Sequence, residues 1–236
     1  MKQLRFSTLI AITITAVCVI VMCWLGFWQL DRMEQKQQRL NSITQKQGKE
    51  SLSLIQALAS NDPRDTRVVF EGVPDITRVF LLDNQIYNKQ VGYSVLVPVN
   101  TNAGWLLVNY GWLPAPDLQR TLPSVVIEND GIQQFSGVLS KPGKNPLIQE
   151  TMSASTHFPA LIQQISVADI SRFLELNLLP YVVVLTQESE VFSRHYEPVV
   201  MPPEKHLGYA IQWFGLAIAA AIIGGFAIVK KGRRDE

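Results

Sequence analysis

The chain has 236 residues, a formal net charge of +1, and 17% charged against 47% hydrophobic side chains. That length suits one medium domain with accessory segments. The near-neutral balance excludes a nucleic-acid binder, which would carry a strongly basic face. The averages conceal a division, because residues 6–30 and 207–229 contain no charged side chain.

After a short basic N-terminus (1–5, with Lys2 and Arg5), the run 6–30 exceeds the roughly 20 residues needed to cross a hydrocarbon core about 30 Å thick. A cleaved signal peptide is the competing reading. Against it, the run outlasts an h-region of roughly 7–15 residues, and no A-x-A site precedes Asp31. A lipoprotein signal fails because bulky Val17 and Met22 precede Cys18 and Cys23. We expect an uncleaved transmembrane helix. The two cysteines stand about 140° apart in helical projection and cannot bridge each other. The following domain has no cysteine, which excludes disulfide staples and thiolate metal sites there.

Residues 31–205 form the extramembrane domain. "DRMEQKQQRLNSITQKQ" (31–47) predicts that the first helix continues into water and stops at Gly48. "SLSLIQALASNDP" from Ser51 predicts a short amphipathic helix ended before Pro63. Strands are expected at "RVVFEG", "ITRVFLLDN", "GYSVLVPV", "GWLLVNYGW", "QQFSGVLS" (from Gln133) and "LLPYVVVLTQES", where β-branched and aromatic runs alternate with turn clusters. "SVADISRFLEL" predicts a helix opened by a capping box of Ser166 and Asp169. The fold class expected is two transmembrane helices flanking a mainly antiparallel β (α+β) domain, either a sheet or a small barrel.

The second apolar run, 206–229, is long enough as a helix to span the core, reaching about 35 Å. The basic tail 230–236 follows, with Lys230, Lys231, Arg233 and Arg234. By the positive-inside rule both termini are cytoplasmic, and the domain between faces the periplasm or the equivalent compartment. Only five residues precede the first helix, too few for a transit peptide, so the membrane expected is a bacterial inner membrane. Within 31–205, fifteen Lys and Arg stand against eighteen Asp and Glu, the sign expected of a translocated domain. Aromatic residues close the first helix (Trp24, Phe27, Trp28) and open the second (Tyr209, Trp213, Phe214), as an outer interfacial belt would. Ala217, Ala221 and Gly225 recur every four residues and offer a stripe for close helix approach.

No G-x-S-x-G, phosphate-cradling glycine loop or H-E-x-x-H occurs, so no enzymatic activity is expected. The histidines at 157, 195 and 206 are too scattered for a metal triad by local spacing.

"LGFWQLDR" (25–32), "VVFEGVPD" (68–75), "VGYSVLVPV" (91–99), "LLVNYGWLP" (106–114) and "KHLGYAIQWFGLA" (205–217) together resemble, in order, the surfeit locus protein 1 family. Tyr110 departs from its pattern, which usually has arginine there. The resemblance implies a role in assembling haem-copper cytochrome oxidase, with haem a as cofactor. It implies partnership with subunit I and its assembly intermediates, with haem A synthase and with the lipid bilayer. It also marks His206 as the residue associated with haem binding, and an imidazole is a suitable axial ligand. Tyr209, Gln212 and Trp213 follow at i+3, i+6 and i+7, and are expected on the same side, supplying an aromatic wall and hydrogen bonds. Trp28 and Arg32 are candidates for the same pocket, Arg32 pairing with a propionate. His195 is a weaker candidate for a second axial ligand, and His157 reads as a surface residue. The plainer reading makes His206 an interfacial histidine and the aromatics belt residues. The alternative function is a cofactor-free scaffold that stabilises an oxidase assembly intermediate.

Overall fold

The computed structural model describes the chain apart from residues 1–5, 49, 118–120, 128–130, 144, 146–147, 149–156, 197–200 and 235–236, and apart from the side chains of 6–7, 47 and 231–234. The basic flanks Lys2 and Arg5 and the side chains of Lys231, Arg233 and Arg234 lie outside the described residues.

Helix α1 runs unbroken over Phe6–Gln47, about 63 Å at 1.5 Å per residue, and Gly48 follows it. Helix α4, Pro203–Arg234, opens on a proline whose fixed φ and missing N–H suit a first helical position. Both are long and apolar enough to cross a membrane. The chain divides into two compact units, one built on α1 to Ser42 together with α4, the other on Ile43–Pro198.

Within the helical unit α1 and α4 run antiparallel, since Gln29 meets His206, Phe27 meets Phe214 and Thr15 meets Gly224. The face that α4 turns inward carries Ala210, Ala217 and Gly224, spaced by seven. A Cβ added at Gly224 would sit 2.4 Å from Thr15 Cγ2, and one at Gly26 would sit 2.7 Å from the Phe214 ring. A seven-residue repeat is the seam of a left-handed helix pair. The four-residue stripe expected from sequence is therefore only partly the contact face. Ala217 belongs to it, whereas Ala221 is exposed and a Cβ at Gly225 would meet nothing. The physical reason is angular: four residues advance a helix by 400°, so such a stripe drifts off a seam that seven residues nearly close.

In the second unit, five strands close into a barrel. Strands β2 (Arg67–Pro74), β4 (Gln90–Thr101), β5 (Gly104–Pro114), β6 (Gln133–Ser140) and β8 (Leu178–Leu185) pair as β2-β6-β8-β5-β4. The ring closes through β2–β4. All its pairings are antiparallel except β5–β8. That order with one parallel pair is the arrangement of OB-type Greek-key barrels. Gly72 is the hinge of closure, where β2 leaves β6 and joins β4, and a Cβ there would lie 2.8 Å from the Asn100 carbonyl. Strand β3 (Phe80–Tyr87) extends the sheet beside β4, and the short strands β1 (Leu52–Ser53) and β7 (Ala160–Ile162) add parallel edges.

The period-2 rule divides the core. Val95, Val97, Val99, Leu106, Val108 and Tyr110 point into the barrel. Leu96, Leu107, Val182 and Phe80 point to its outer face, beneath helix α3 (Val167–Leu174) and β7. Burial on both faces explains why "YSVLVPV" reads as a continuous apolar run. Helix α2 (Leu54–Leu58) carries a complete capping box between Ser53 and Gln56. At α3 only half of the expected box forms. Ser166 Oγ accepts from the Asp169 N–H, but its own proton goes to the Asp169 carboxylate at 2.6 Å. Aspartate is one methylene shorter than the glutamate that reaches back to the cap in a full box.

The six expected strands are all present, "QQFSGVLS" with the expected ends as β6 and the others with shifted ends. β3 starts at Phe80 rather than Ile76 and runs past Asn84 to Tyr87, where the turn into β4 begins. The turn itself is two residues, Asn88 and Lys89, both at positive φ as a tight hairpin requires.

Candidate functional site at the His206 end of the helix pair

Glu204, Lys205 and His206 stand in the first turn and a half of α4, before its long apolar stretch. His206 is buried, with 8% of its surface exposed. Its Nδ1 lies 2.8 Å from Gln29 Oε1 on α1. An amide oxygen can only accept, so Nδ1 carries the proton and donates. In the neutral ring the lone pair is then on Nε2, which is buried and has no hydrogen-bond partner among the described residues. A buried imidazole with one nitrogen pinned by a polar neighbour and the other free is the arrangement of a metal-ligating histidine. Leaving such a nitrogen unsatisfied otherwise costs about 1–3 kcal/mol.

The remaining candidates divide. Trp213, one full heptad from His206, is partly buried. Tyr209 is 43% exposed and Gln212 is exposed, so neither shares the inward face with His206. The expectation of a single shared side fails for Gln212 by geometry, since six residues advance the helix by 600°, about 120° away from His206. On α1, Trp28 is 42% exposed and the Arg32 guanidinium stands 5.5 Å from its ring centroid. Arg32 also donates to Gln35 Oε1 at 2.9 Å. The structure therefore brings His206 together with Gln29, which the motif reading passed over. The signal was present, because Gln29 carries a full amide inside an uncharged run, where an unsatisfied amide is costly.

The β unit has a second polar-aromatic cluster. His195 stacks on Tyr87 at 4.4 Å and 14°, and Tyr87 meets Trp112 at 5.4 Å. The Trp112 indole lies across Gly92 and donates to the Gln85 carbonyl at 3.1 Å. Arg194 donates from Nε to the Tyr110 carbonyl at 2.9 Å and from Nη1 to the Gln187 carbonyl at 2.7 Å. Burial lowers the Arg194 pKa, against a smaller opposing effect of Tyr110. Tyr110 itself is 5% exposed, its ring packed edge-on against Phe135 and Phe192, and its hydroxyl has no partner among the described residues. A cavity of about 610 Å³ lies beside this cluster, between Tyr87, the 186–193 loop and Arg194. His157 is exposed. Among the described residues no group of three or more His, Cys, Asp and Glu could hold a metal ion.

Comparison with known proteins bears on the identity of this arrangement. A curated SURF1-like protein of Rickettsia prowazekii is 24% identical over 218 residues, covering 86% of this chain and 84% of its own length. The SURF1 family pattern matches residues 16–218, a span that includes the apolar part of α1 from Ala16, the whole barrel and the His206 end of α4. The chain belongs to the SURF1 family.

Proposed function

We propose that this protein is a membrane-anchored assembly factor for haem-copper cytochrome oxidase, with haem a as its cargo and the oxidase's subunit I as the recipient. Family membership supports the assembly role, and two membrane-length helices support the anchoring. The observation that carries the haem reading is the buried Nε2 of His206, without a partner among the described residues, with Nδ1 occupied by Gln29. Such a lone pair is a donor of the right type for haem iron.

In this reading His206 would ligate the iron and Trp213 would supply an aromatic wall, while Tyr209 and Gln212, which do not share the inward face, would offer hydrogen bonds only from the exposed flank of α4. Trp28 and Arg32 serve the propionate end, Arg32 having five N–H donors to share. The protein adds no chemistry to its cargo. It binds and orients the cargo and keeps water from the ligated face. Nε2 has no solvent contact in this conformation, so loading requires the neighbours of the ring to part first. The same reading puts the protein in a bacterial inner membrane with both termini cytoplasmic and 31–205 periplasmic, beside haem A synthase, from which haem a would be received.

The test is complementation. Cells lacking the protein are supplied with the wild type or with His206→Ala, and the haem a content of purified subunit I is measured. The reading predicts restoration by the wild type and a severalfold deficit with the variant at equal membrane abundance. Equal haem a content in both would favour the cofactor-free scaffold.

A further inference from the structure

We infer that Gln29 is the positioning residue of this site, holding the His206 imidazole in the Nδ1–H tautomer so that Nε2 is the ligating atom. The inference rests on the proposed ligand role of His206, and adds a residue on the opposite helix together with the mechanism by which it acts.

Three observations carry it. The first is the 2.8 Å contact between Gln29 Oε1 and His206 Nδ1, joining residues 177 apart in sequence. A neutral imidazole distributes its proton between two nitrogens, and a fixed acceptor at one of them selects the tautomer. The second is that Nε2 has no exposure and no partner among the described residues, so none of these competes for its lone pair. The third is the setting of Gln29. It lies in line with Thr8, Thr15 and Met22, at the seven-residue spacing of the α1 face that meets α4. Gly26, three residues earlier, lets the Phe214 ring approach closely. Phe27 packs edge-on against that same ring at 5.2 Å. Gln29 therefore stands about one turn from this close packing, half-buried on the face that α1 turns to α4.

The chemical consequence is specific. A histidine that donates its second N–H to an acceptor is a stronger electron donor to a metal, more so when the acceptor is a carboxylate. Gln29 sets an intermediate donor strength, enough to hold the cargo without the charge that a glutamate at this depth would bring. Such a partner typically contributes 10–100-fold in metal affinity.

Two measurements on the full-length protein in detergent test this. The first uses ¹⁵N-histidine-labelled protein without haem, and assigns the three imidazoles by substituting them one at a time. His206 is expected as the Nδ1–H tautomer in the wild type and as a mixture in Gln29→Leu. An unchanged His206 spectrum in Gln29→Leu overturns the inference, whatever the protein binds. The second loads haem a and reads the ferrous iron–histidine stretching band by resonance Raman. Gln29→Glu should raise its frequency, and Gln29→Leu should lower it and weaken haem binding about 10–100-fold. A band indifferent to both substitutions, with haem still bound, overturns it as well. Wild type that takes up no haem while Gln29→Leu still scrambles the tautomer defeats the proposed cargo and leaves the Gln29 contact standing. Gln29→Glu also serves if the leucine variant fails to assemble, because it is nearly isosteric.

Discussion

Replacing Tyr110 by phenylalanine removes one oxygen from the barrel interior and should make the protein more stable. The hydroxyl is buried without a partner among the described residues, while the ring packs against Phe135 and Phe192. An unsatisfied buried hydroxyl costs about 1–3 kcal/mol, and the ring contacts survive the change. We therefore expect a gain of about 1–2 kcal/mol. In a domain of this size each kcal/mol raises Tm by roughly 2–4 °C. Thermal unfolding of the detergent-solubilised protein, followed by near-ultraviolet circular dichroism of the barrel aromatics, should show a Tm about 2–8 °C higher. The effect has a pH signature. Burial raises the Tyr110 pKa above its ordinary value of 10.0, opposed by the nearby Arg194 charge. The unfolded chain thus loses this proton at a lower pH than the folded one. Stability is complete below pH 10 and falls as pH rises above it, by up to about 1.4 kcal/mol per pH unit for this one group. Tyr110→Phe should lose less over the same range. A variant destabilised by 1 kcal/mol or more would refute the reasoning, and would mean that the hydroxyl bonds a buried water.

Other consequences follow from close packing. Gly92→Ala should destabilise the barrel by several kcal/mol, because a Cβ there would lie 2.1 Å from the Leu113 carbonyl and 2.6 Å from the Trp112 ring. The measurement is chemical denaturation, and a change under 1 kcal/mol would contradict the geometry. Gly224→Leu should separate α1 from α4, since its side chain would run into Thr15, while Gly225→Leu should be neutral. Disulfide trapping between cysteines placed on the two helices, in a Cys18→Ala/Cys23→Ala background, reads the difference, and equal trapping in both variants would overturn the assigned face.

The parts of the fold that local chemistry dictates were readable in the sequence. Continuous β-branched runs such as "YSVLVPV" announced strands, and the charge-free stretches announced two helices that could span a membrane. Ring closure was not readable. It depends on Gly72 letting β2 change partners, which is a matter of register between distant segments. β7 escaped because three residues after Phe158-Pro159 carry little periodicity, and only pairing with β3 makes them a strand. At the candidate site, His206 stood out because a histidine at the head of an apolar helix demands a partner. The partner itself did not, since Trp28 and Arg32 drew attention by size and charge. Only the helix pairing reveals that Gln29, between them, is the residue reaching across. The seven-residue seam of Ala210, Ala217 and Gly224 was hidden for the same reason, as spacing alone does not say which face is used.

The most direct test of the account is the visible spectrum of the protein purified in detergent from cells that make haem a, beside its His206→Ala variant. The account predicts an a-type absorption near one haem per chain in the wild type and its loss in the variant, with both proteins folded. Equal haem in the two, or none in an intact wild type, would contradict the claim that His206 holds the cargo.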